Sequence, residues 1–259
     1  MARSFTRLDK LLVDKGLAPS RERAQALVLG AKILVDGRPA AKPGQQVPDD
    51  CLVELRGEDI PFVSRGGLKL VHALKTFSID VNGLTAMDVG ASTGGFTDCL
   101  LQRGAGRVYA VDVGYGQLAW KLRQDSRVVV LERRNIRYLP REAVPEPIHL
   151  VTIDASFISL RIVIPAAMPF LIPGGMLIAL IKPQFEAGKD QVGKGGVVRD
   201  PEIHRRVCDS IAGFCESLGF GLLGVTPSPI LGPKGNREFL LAARVEAAEA
   251  EGPPGADAP

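Results

Sequence analysis

Four charged residues stand where a folded α/β chain would gather its chemistry: Lys69, Asp154, Lys182 and Glu238. Asp154 ends the apolar run His149-Leu150-Val151-Thr152-Ile153, and Lys182 follows Met176–Ile181 and precedes Pro183. Glu238 opens a last strand, Glu238-Phe239-Leu240-Leu241, while Lys69 lies in a helix after Ser64-Arg65-Gly66-Gly67. Buried parallel strands carry such apolar runs, and charges at their C-terminal ends point into the ligand crevice. Lysines at strand ends also serve as plain ion-pair partners. No one of the four decides between these readings alone.

A second constellation lies upstream. Thr85–Val89 reads as a strand, Gly90-Ala91-Ser92-Thr93-Gly94-Gly95 as a loop of small residues, Phe96–Arg103 as a helix, and Arg107–Val111 as a strand ending in Asp112. Loop glycines let backbone approach a ligand, and a helix start offers unpaired N–H donors. An acid roughly twenty residues past such a loop is where doubly wound folds hold a ribose. Three uses compete. Gly90-Ala91-Ser92-Thr93-Gly94 fits the G-x-S-x-G nucleophile elbow, yet only His149 and His204 follow Ser92, and His149 opens a strand. A nicotinamide dehydrogenase wants a second glycine where Ser92 stands, because a pyrophosphate must approach there. The sulfonium compound S-adenosylmethionine has no phosphate and tolerates that serine. Gly90, Ser92, Thr93, Gly94 and Phe96 would then form its wall. Asp88 would meet its ammonium group and Asp112 its ribose hydroxyls. The plainer roles are a helix cap for Asp88 and a solvated strand end for Asp112.

The elements that must position these groups alternate. Helices are expected at 66–76, 96–103, 116–123, 159–171 and 201–218, and strands at 85–89, 107–111, 128–131, 149–153, 176–181, 221–226 and 237–243. That rhythm predicts one doubly wound α/β domain over residues 60–245. Ile162–Ile181 has no charge and the length of a membrane span. Pro165, Pro169 and Pro173-Gly174-Gly175 punctuate it, so it reads as a buried helix, a tight turn and a central strand. Residues 246–259 lack large apolar side chains and are expected to be a disordered tail.

Composition sets outer limits. The chain has 259 residues, 46% of them hydrophobic, which is ample for a packed core. A net charge of +3 argues for no polyanion by itself. Cys51, Cys99, Cys208 and Cys215 show no C-x-x-C spacing, so reduced thiols in a cytoplasmic protein are expected, without a metal site. The start, MARSFTRLDKLL, shows no signal peptide.

Residues 1–59 form a smaller αα-β unit. Thr6-x-x-Asp9 suggests a capping box before Leu8, Leu11 and Leu12, with Gly16 ending the helix. Ser20 caps a second helix carrying Ala24, Leu27 and Val28 and stopped by Gly30. Asp36-Gly37 turns a hairpin after Ile33–Val35. The spacing of Arg7-Leu8-Asp9, Gly16-Leu17, Ser20-Arg21, Ala24, Gly30, Val35-Asp36-Gly37 and Lys42-Pro43 resembles an S4 domain, an RNA-binding module. That resemblance implies contacts to structured RNA. Arg21, Arg23 and Lys42 are the expected phosphate donors, with Arg7, Lys189 and Lys194 extending the surface.

The order Lys69, Asp154, Lys182, Glu238 resembles the tetrad of ribose 2′-O-methyltransferases related to the heat-shock methyltransferase FtsJ. Together with DVGASTGGFT, TIDASFISL, IKPQFE and GNREFLL, the chain up to about Arg244 is similar to the TlyA family. Members are often named haemolysins and methylate ribosomal RNA on cytidine ribose. The resemblance implies a Rossmann-like methyltransferase domain behind the S4-like domain, S-adenosylmethionine as donor, ribosomal RNA or ribosomal subunits as partner, and no metal, no membrane and a monomer. It places Asn135 where many methyltransferases hold adenine, and Phe157 beside the cofactor or the target base; a core aromatic is the plain alternative for Phe157. A membrane-damaging haemolysin-like protein is the rival function.

Lysines suit this chemistry. A ribose hydroxyl is a very weak acid, and a buried ammonium near a second cation yields its proton near neutral pH; enzymes bring lysine to about 7–8 in this way. Lys182 is the candidate base. Lys69 is the second cation that steadies the developing alkoxide, and Asp154 and Glu238 orient the two lysines.

Overall fold

The computed structural model describes residues 4–18, 20–56 and 60–246, so the tail expected beyond 246 lies outside the described residues. The chain divides into two units, Met1–Ile60 and Pro61–Pro259.

In the smaller unit, β1 (Phe5–Arg7) leads into α1 (Leu8–Asp14), followed by α2 (Arg21–Leu29), β2 (Ile33–Val35), β3 (Arg38–Pro39), β4 (Gln46–Pro48) and β5 (Val53–Leu55). β1 pairs with β4, and β3-β2-β5 form a second small sheet. Leu8, Leu12, Ala24 and Ile33 are fully buried between helices and sheet. Each large one contributes about 1.5–3 kcal/mol of burial. Asp36 and Gly37 both have positive φ, +48° and +74°, the backbone a two-residue hairpin turn requires. Ser20 Oγ accepts from the Arg23 amide as the spacing implied. The expected capping box is absent: Arg7 is the N-cap of α1 with no side-chain cap bond. Asp9 is drawn away because its carboxylate accepts from Arg7, Arg21 and Gln25 instead.

The larger unit contains α3 (Gly66–Thr76), β6 (Thr85–Val89), α4 (Gly95–Gln102), β7 (Arg107–Asp112), α5 (Trp120–Arg123), β8 (Val128–Glu132), β9 (Ile148–Ile153), α6 (Leu160–Ala167), β10 (Leu171–Ile181), α7 (Pro183–Glu186), α8 (Pro201–Ser217), β11 (Phe220–Pro227) and β12 (Phe239–Val245). One seven-stranded sheet runs β11-β12-β10-β9-β6-β7-β8, with β12 antiparallel to both its neighbours and the other pairs parallel. Chain order reverses between β6 and β9, so their C-terminal ends open the crevice where doubly wound folds bind ligands. Met87, Val151, Ile153, Ala179 and Leu241 are fully buried in the sheet's core.

Three expectations change. The helix expected over 116–123 is a single turn, α5. The helix expected over 159–171 stops at Ala167, and a 3-10 turn, Met168–Phe170, follows. The tight turn expected at Pro173-Gly174-Gly175 is an irregularity inside β10, where pairing with β9 jumps from Leu171 to Met176. A bulge leaves residues out of the ladder, so a proline without an N–H fits there, and Gly174 takes φ +74°. Ile162–Ile181 is thus part of α6 and a central strand. Among the described residues no helix is long and apolar enough to cross a membrane. All four cysteines are buried and free.

Candidate active site

The loop after β6 is shaped by close backbone packing. Gly90 has φ +84°, and a Cβ there would sit 2.8 Å from the Asp154 carbonyl oxygen, so the ends of β6 and β9 come together only over glycine. Ser92 also takes a left-handed φ, +48°. Its amide donates to Asp112 Oδ2 at 2.8 Å, and its hydroxyl meets Gln117 Oε1 at 3.2 Å. No histidine approaches it: His149 Nδ1 accepts from the Thr85 amide, His204 Nε2 faces the Val198 carbonyl, and His72 faces Thr226. A nucleophile elbow is therefore not assembled here.

A cavity of about 590 Å³ opens at the ends of β6, β9 and β10. Its wall includes Gly90, Ser92, Thr93, Phe96, Asp154 and Phe157 of the expected cofactor residues, and all four of Lys69, Asp154, Lys182 and Glu238. Gly94, Asp88, Asp112 and Asn135 do not line it. Gly94 is the N-cap of α4 with φ +97°, and a Cβ there would collide with Leu122. Asp88 is fully buried beneath the loop and takes the plainer role. Its Oδ2 accepts from the Thr97 amide at 2.9 Å and the Thr97 hydroxyl at 2.7 Å, and its Oδ1 from Thr152 at 3.1 Å. Burial pushes its carboxyl up to about 7 despite those donors. Asp88 pins the first turn of α4 and stands behind the cavity wall. Asp112 holds the amides of Ser92 and Gly114, the latter at 2.6 Å, which fixes the loops after β6 and β7 and leaves a carboxylate's other acceptor positions open. Asn135 Oδ1 caps the 3-10 turn Ile136–Tyr138 through the Arg137 amide.

Two ion pairs face the cavity. Lys69 Nζ lies 2.6 Å from Glu238 Oε2, and Lys182 Nζ lies 2.6 Å from Asp154 Oδ1. Both lysines are 7% exposed. Lys69 is presented by α3, whose start packs on α4 so closely that a Cβ at Gly95 would lie 3.0 Å from the Gly67 nitrogen and 2.2 Å from Oγ of Ser64, just ahead of the helix. Glu238 stands just before β12 and not in it; its carbonyl accepts from Ser228, and Gly232 covers its carboxylate. Asn236 ties this segment to a second glycine-rich stretch, residues 188–196 and the Val198 that follows, accepting from the Val198 amide and donating to the Gly196 carbonyl. Lys194 in that loop is exposed, and the Lys189 side chain lies outside the described residues. Phe157 is 88% exposed, with φ +63°, and its ring stands 5.1 Å from that of Phe185. It is no core aromatic.

Sequence reasoning missed Ser156, whose hydroxyl accepts from Lys182 Nζ at 2.8 Å, and Gln184 and Lys234 in the cavity wall. Ser156 stands two residues past a strand-ending acid, a place that brings a side chain back toward the same crevice. In the smaller unit, Arg7 and Arg21 both reach the fully buried Asp9, while their own side chains stay about half exposed. The guanidiniums hold the Asp9 carboxyl well below the ordinary carboxylate range. Lys42 is exposed, and Arg23 donates from Nη2 to the Ile60 carbonyl.

Residues 62–245 match the FtsJ-like methyltransferase family and residues 6–50 the S4 domain. A Mycobacterium tuberculosis protein, 16S/23S rRNA (cytidine-2′-O)-methyltransferase TlyA, is 48% identical over 93% of this chain and 90% of its own length. A Bacillus subtilis protein provisionally named as the rRNA methyltransferase YqxC is 49% identical, covering 91% of this chain and 84% of that one. A solved chain from Streptococcus thermophilus, provisionally named a hemolysin, superposes with a TM-score of 0.74 at 44% identity, over 95% of this chain and 90% of that one. With an S4 domain ahead of an FtsJ-like domain and relatives that extend across both, the chain belongs to the TlyA family of FtsJ-like methyltransferases.

Proposed function

We propose that the protein transfers a methyl group from S-adenosylmethionine to a ribose 2′-oxygen of ribosomal RNA, the residue in the related enzymes being cytidine. The observation that carries this reading is the pair of buried lysines, each held by its own carboxylate, on the wall of one cavity below the glycine loop. The residues fit the donor: the cavity suits a ligand of that size, Gly90, Ser92 and Thr93 line it, and Asp112, bonded to the Ser92 amide, keeps acceptor positions beside the loop. The donor supplies an electrophilic methyl on a sulfonium and leaves as a neutral thioether.

The rest belongs to the chain. Lys182 Nζ accepts the 2′-hydroxyl proton as the oxygen's electron pair closes on the methyl carbon and the carbon–sulfur pair departs to sulfur. Asp154 directs that amine. Lys69, steered by Glu238, places a second positive charge where negative charge develops on oxygen. The cavity walls hold oxygen, carbon and sulfur in line, which removes the entropy cost of an encounter. On the smaller unit, Arg7, Arg21, Arg23 and Lys42 present cations to phosphate. Such an enzyme acts in the cytoplasm, as a monomer and without a metal. The membrane-damaging alternative loses its one structural basis, because Ile162–Ile181 lies in α6 and the sheet.

Purified protein incubated with methyl-labelled S-adenosylmethionine and unmodified ribosomal RNA tests this. Nucleoside mass spectrometry is expected to find a 2′-O-methylated nucleoside, and a 2′-deoxy substitution at that nucleotide to block transfer. Label on a base, or transfer undiminished by the 2′-deoxy substitution, would overturn the reading.

A further inference from the structure

Lys182 has more than its carboxylate partner. Its Nζ donates to Ser156 Oγ at 2.8 Å while lying 2.6 Å from Asp154 Oδ1. Ser156 is itself exposed, so folding does not require its hydroxyl to be there. The loop that carries it is fixed at both ends. Asp154 at its start is held by Lys182, and its backbone amide donates to the Val89 carbonyl. At its far end, Ser159 Oγ donates to Glu186 Oε2 at 2.6 Å and the Leu160 amide to Glu186 Oε1 at 2.8 Å. Between them Phe157 turns through a left-handed φ of +63° and lays its ring against Phe185. Glu186 and Phe185 belong to α7, which begins directly after Lys182. The segment bearing the serine and the segment bearing the lysine are thus joined at three places.

Resting on the reading of Lys182 as base, we propose that Ser156 is a positioning residue that aims the Lys182 amine at the substrate hydroxyl. A neutral amine has two N–H bonds and one lone pair. Asp154 and Ser156 are two acceptors, and if each takes one N–H the lone pair is left with the cavity as its only direction. With one acceptor the amine rotates, and it spends part of its time donating to the substrate oxygen instead of accepting from it. A hydroxyl suits this task better than a second carboxylate. It accepts a hydrogen bond without adding negative charge that would hold the proton on nitrogen. The other charged groups facing the same cavity are Lys69, Arg65, Lys234 and Glu238, so the balance around Lys182 already includes both signs.

The test compares Ser156→Ala and Ser156→Thr with the unaltered full-length protein in single-turnover methyl transfer, cofactor titration and a pH–rate profile. Ser156→Ala is expected to lower the transfer rate about 10- to 100-fold, the scale of a misaimed reacting group, with cofactor affinity and the KM for RNA unchanged. Because a lost acceptor no longer favours the ammonium form, the acid limb of the profile should move to lower pH. Ser156→Thr, which keeps a hydroxyl, should recover most of the rate and return the limb. An alanine variant with the normal rate and profile would overturn the proposal while leaving the base assignment intact, provided Lys182→Ala is inactive. A fall in cofactor affinity that matches the fall in rate would overturn it too, by making Ser156 part of the cofactor's wall. Transfer by Lys182→Ala at the normal rate would remove the base on which the proposal rests, a separate result.

Discussion

The two units place their charge in opposite ways. In the smaller one a single buried carboxylate, Asp9, gathers two arginines whose side chains remain 48% and 54% exposed. In the larger one two lysines are turned inward, 7% exposed, and each has a carboxylate of its own. The first arrangement stiffens cations that keep most of their donors free for an outside anion. The second withholds cations from solvent, where a charge acts strongly over a short distance and a proton can be traded. On the proposed function, one unit serves attraction and the other reaction.

Removing one member of an inward pair should have the largest effect. Lys69→Met leaves Glu238, whose side chain is 1% exposed, charged and alone, at a cost of about 3–5 kcal/mol in unfolding experiments. Lys69→Met combined with Glu238→Leu should regain most of that stability and none of the methyl transfer. Recovery of activity in the double variant would make the pair structural and erase the contrast.

Outward charges should move affinity and leave chemistry alone. Replacing Arg7 and Arg21 together by alanine, with Asp9→Asn so that no buried carboxylate is left unpaired, should lower the slope of log affinity for ribosomal RNA against log salt by roughly 1.4 to 1.8, two phosphates' worth. Transfer at saturating RNA should hold. An unchanged slope would point to a different docking face.

Smaller effects follow from the two fully buried aspartates, which are displaced in opposite directions. Asp9 sits below the ordinary carboxylate value of about 3.9, so its stabilisation is complete above that pH and is lost as acid protonates it. Asp9→Asn should therefore be less stable than wild type at pH 7 and converge with it on acidification. Asp88 sits at about 7, so between about pH 4 and pH 7 the folded state holds a proton that the unfolded state has released. Stability due to Asp88 falls as pH rises through that window. The wild type should lose ground to Asp88→Asn as pH climbs, read from urea midpoints. A flat difference would remove the assigned displacement.

Periodicity and strand-end charges made the sheet, the glycine loop and the places of Asp154 and Lys182 readable from the chain, because each depends on local pattern and on the rule that parallel strands open at their C-terminal ends; Lys69, on a helix, and Glu238, ahead of an antiparallel strand, joined them only through the family resemblance. What was not readable depended on which partner a polar group would choose. Asp9 looked like half of a capping box, but Arg21 and Gln25 on α2, far along the chain, claimed its carboxylate. Asp88 was legible as an acid just before the glycine loop, but not its two threonine donors, one on α4 and one on β9. Pro173-Gly174-Gly175 carried a real irregularity, which appeared as a bulge because the strand resumed its pairing with β9 beyond it. Ser156 gave only its position, two residues past Asp154; its contact with Lys182 depends on the path of the loop in space.

Lys182→Ala examined by both cofactor calorimetry and methyl transfer to ribosomal RNA is the most direct test of an inward lysine as the proton acceptor. The account predicts S-adenosylmethionine binding close to that of the wild type and transfer reduced roughly 10²- to 10⁴-fold, the usual contribution of a positioned base. Transfer at the wild-type rate by a variant that binds the cofactor normally would contradict it.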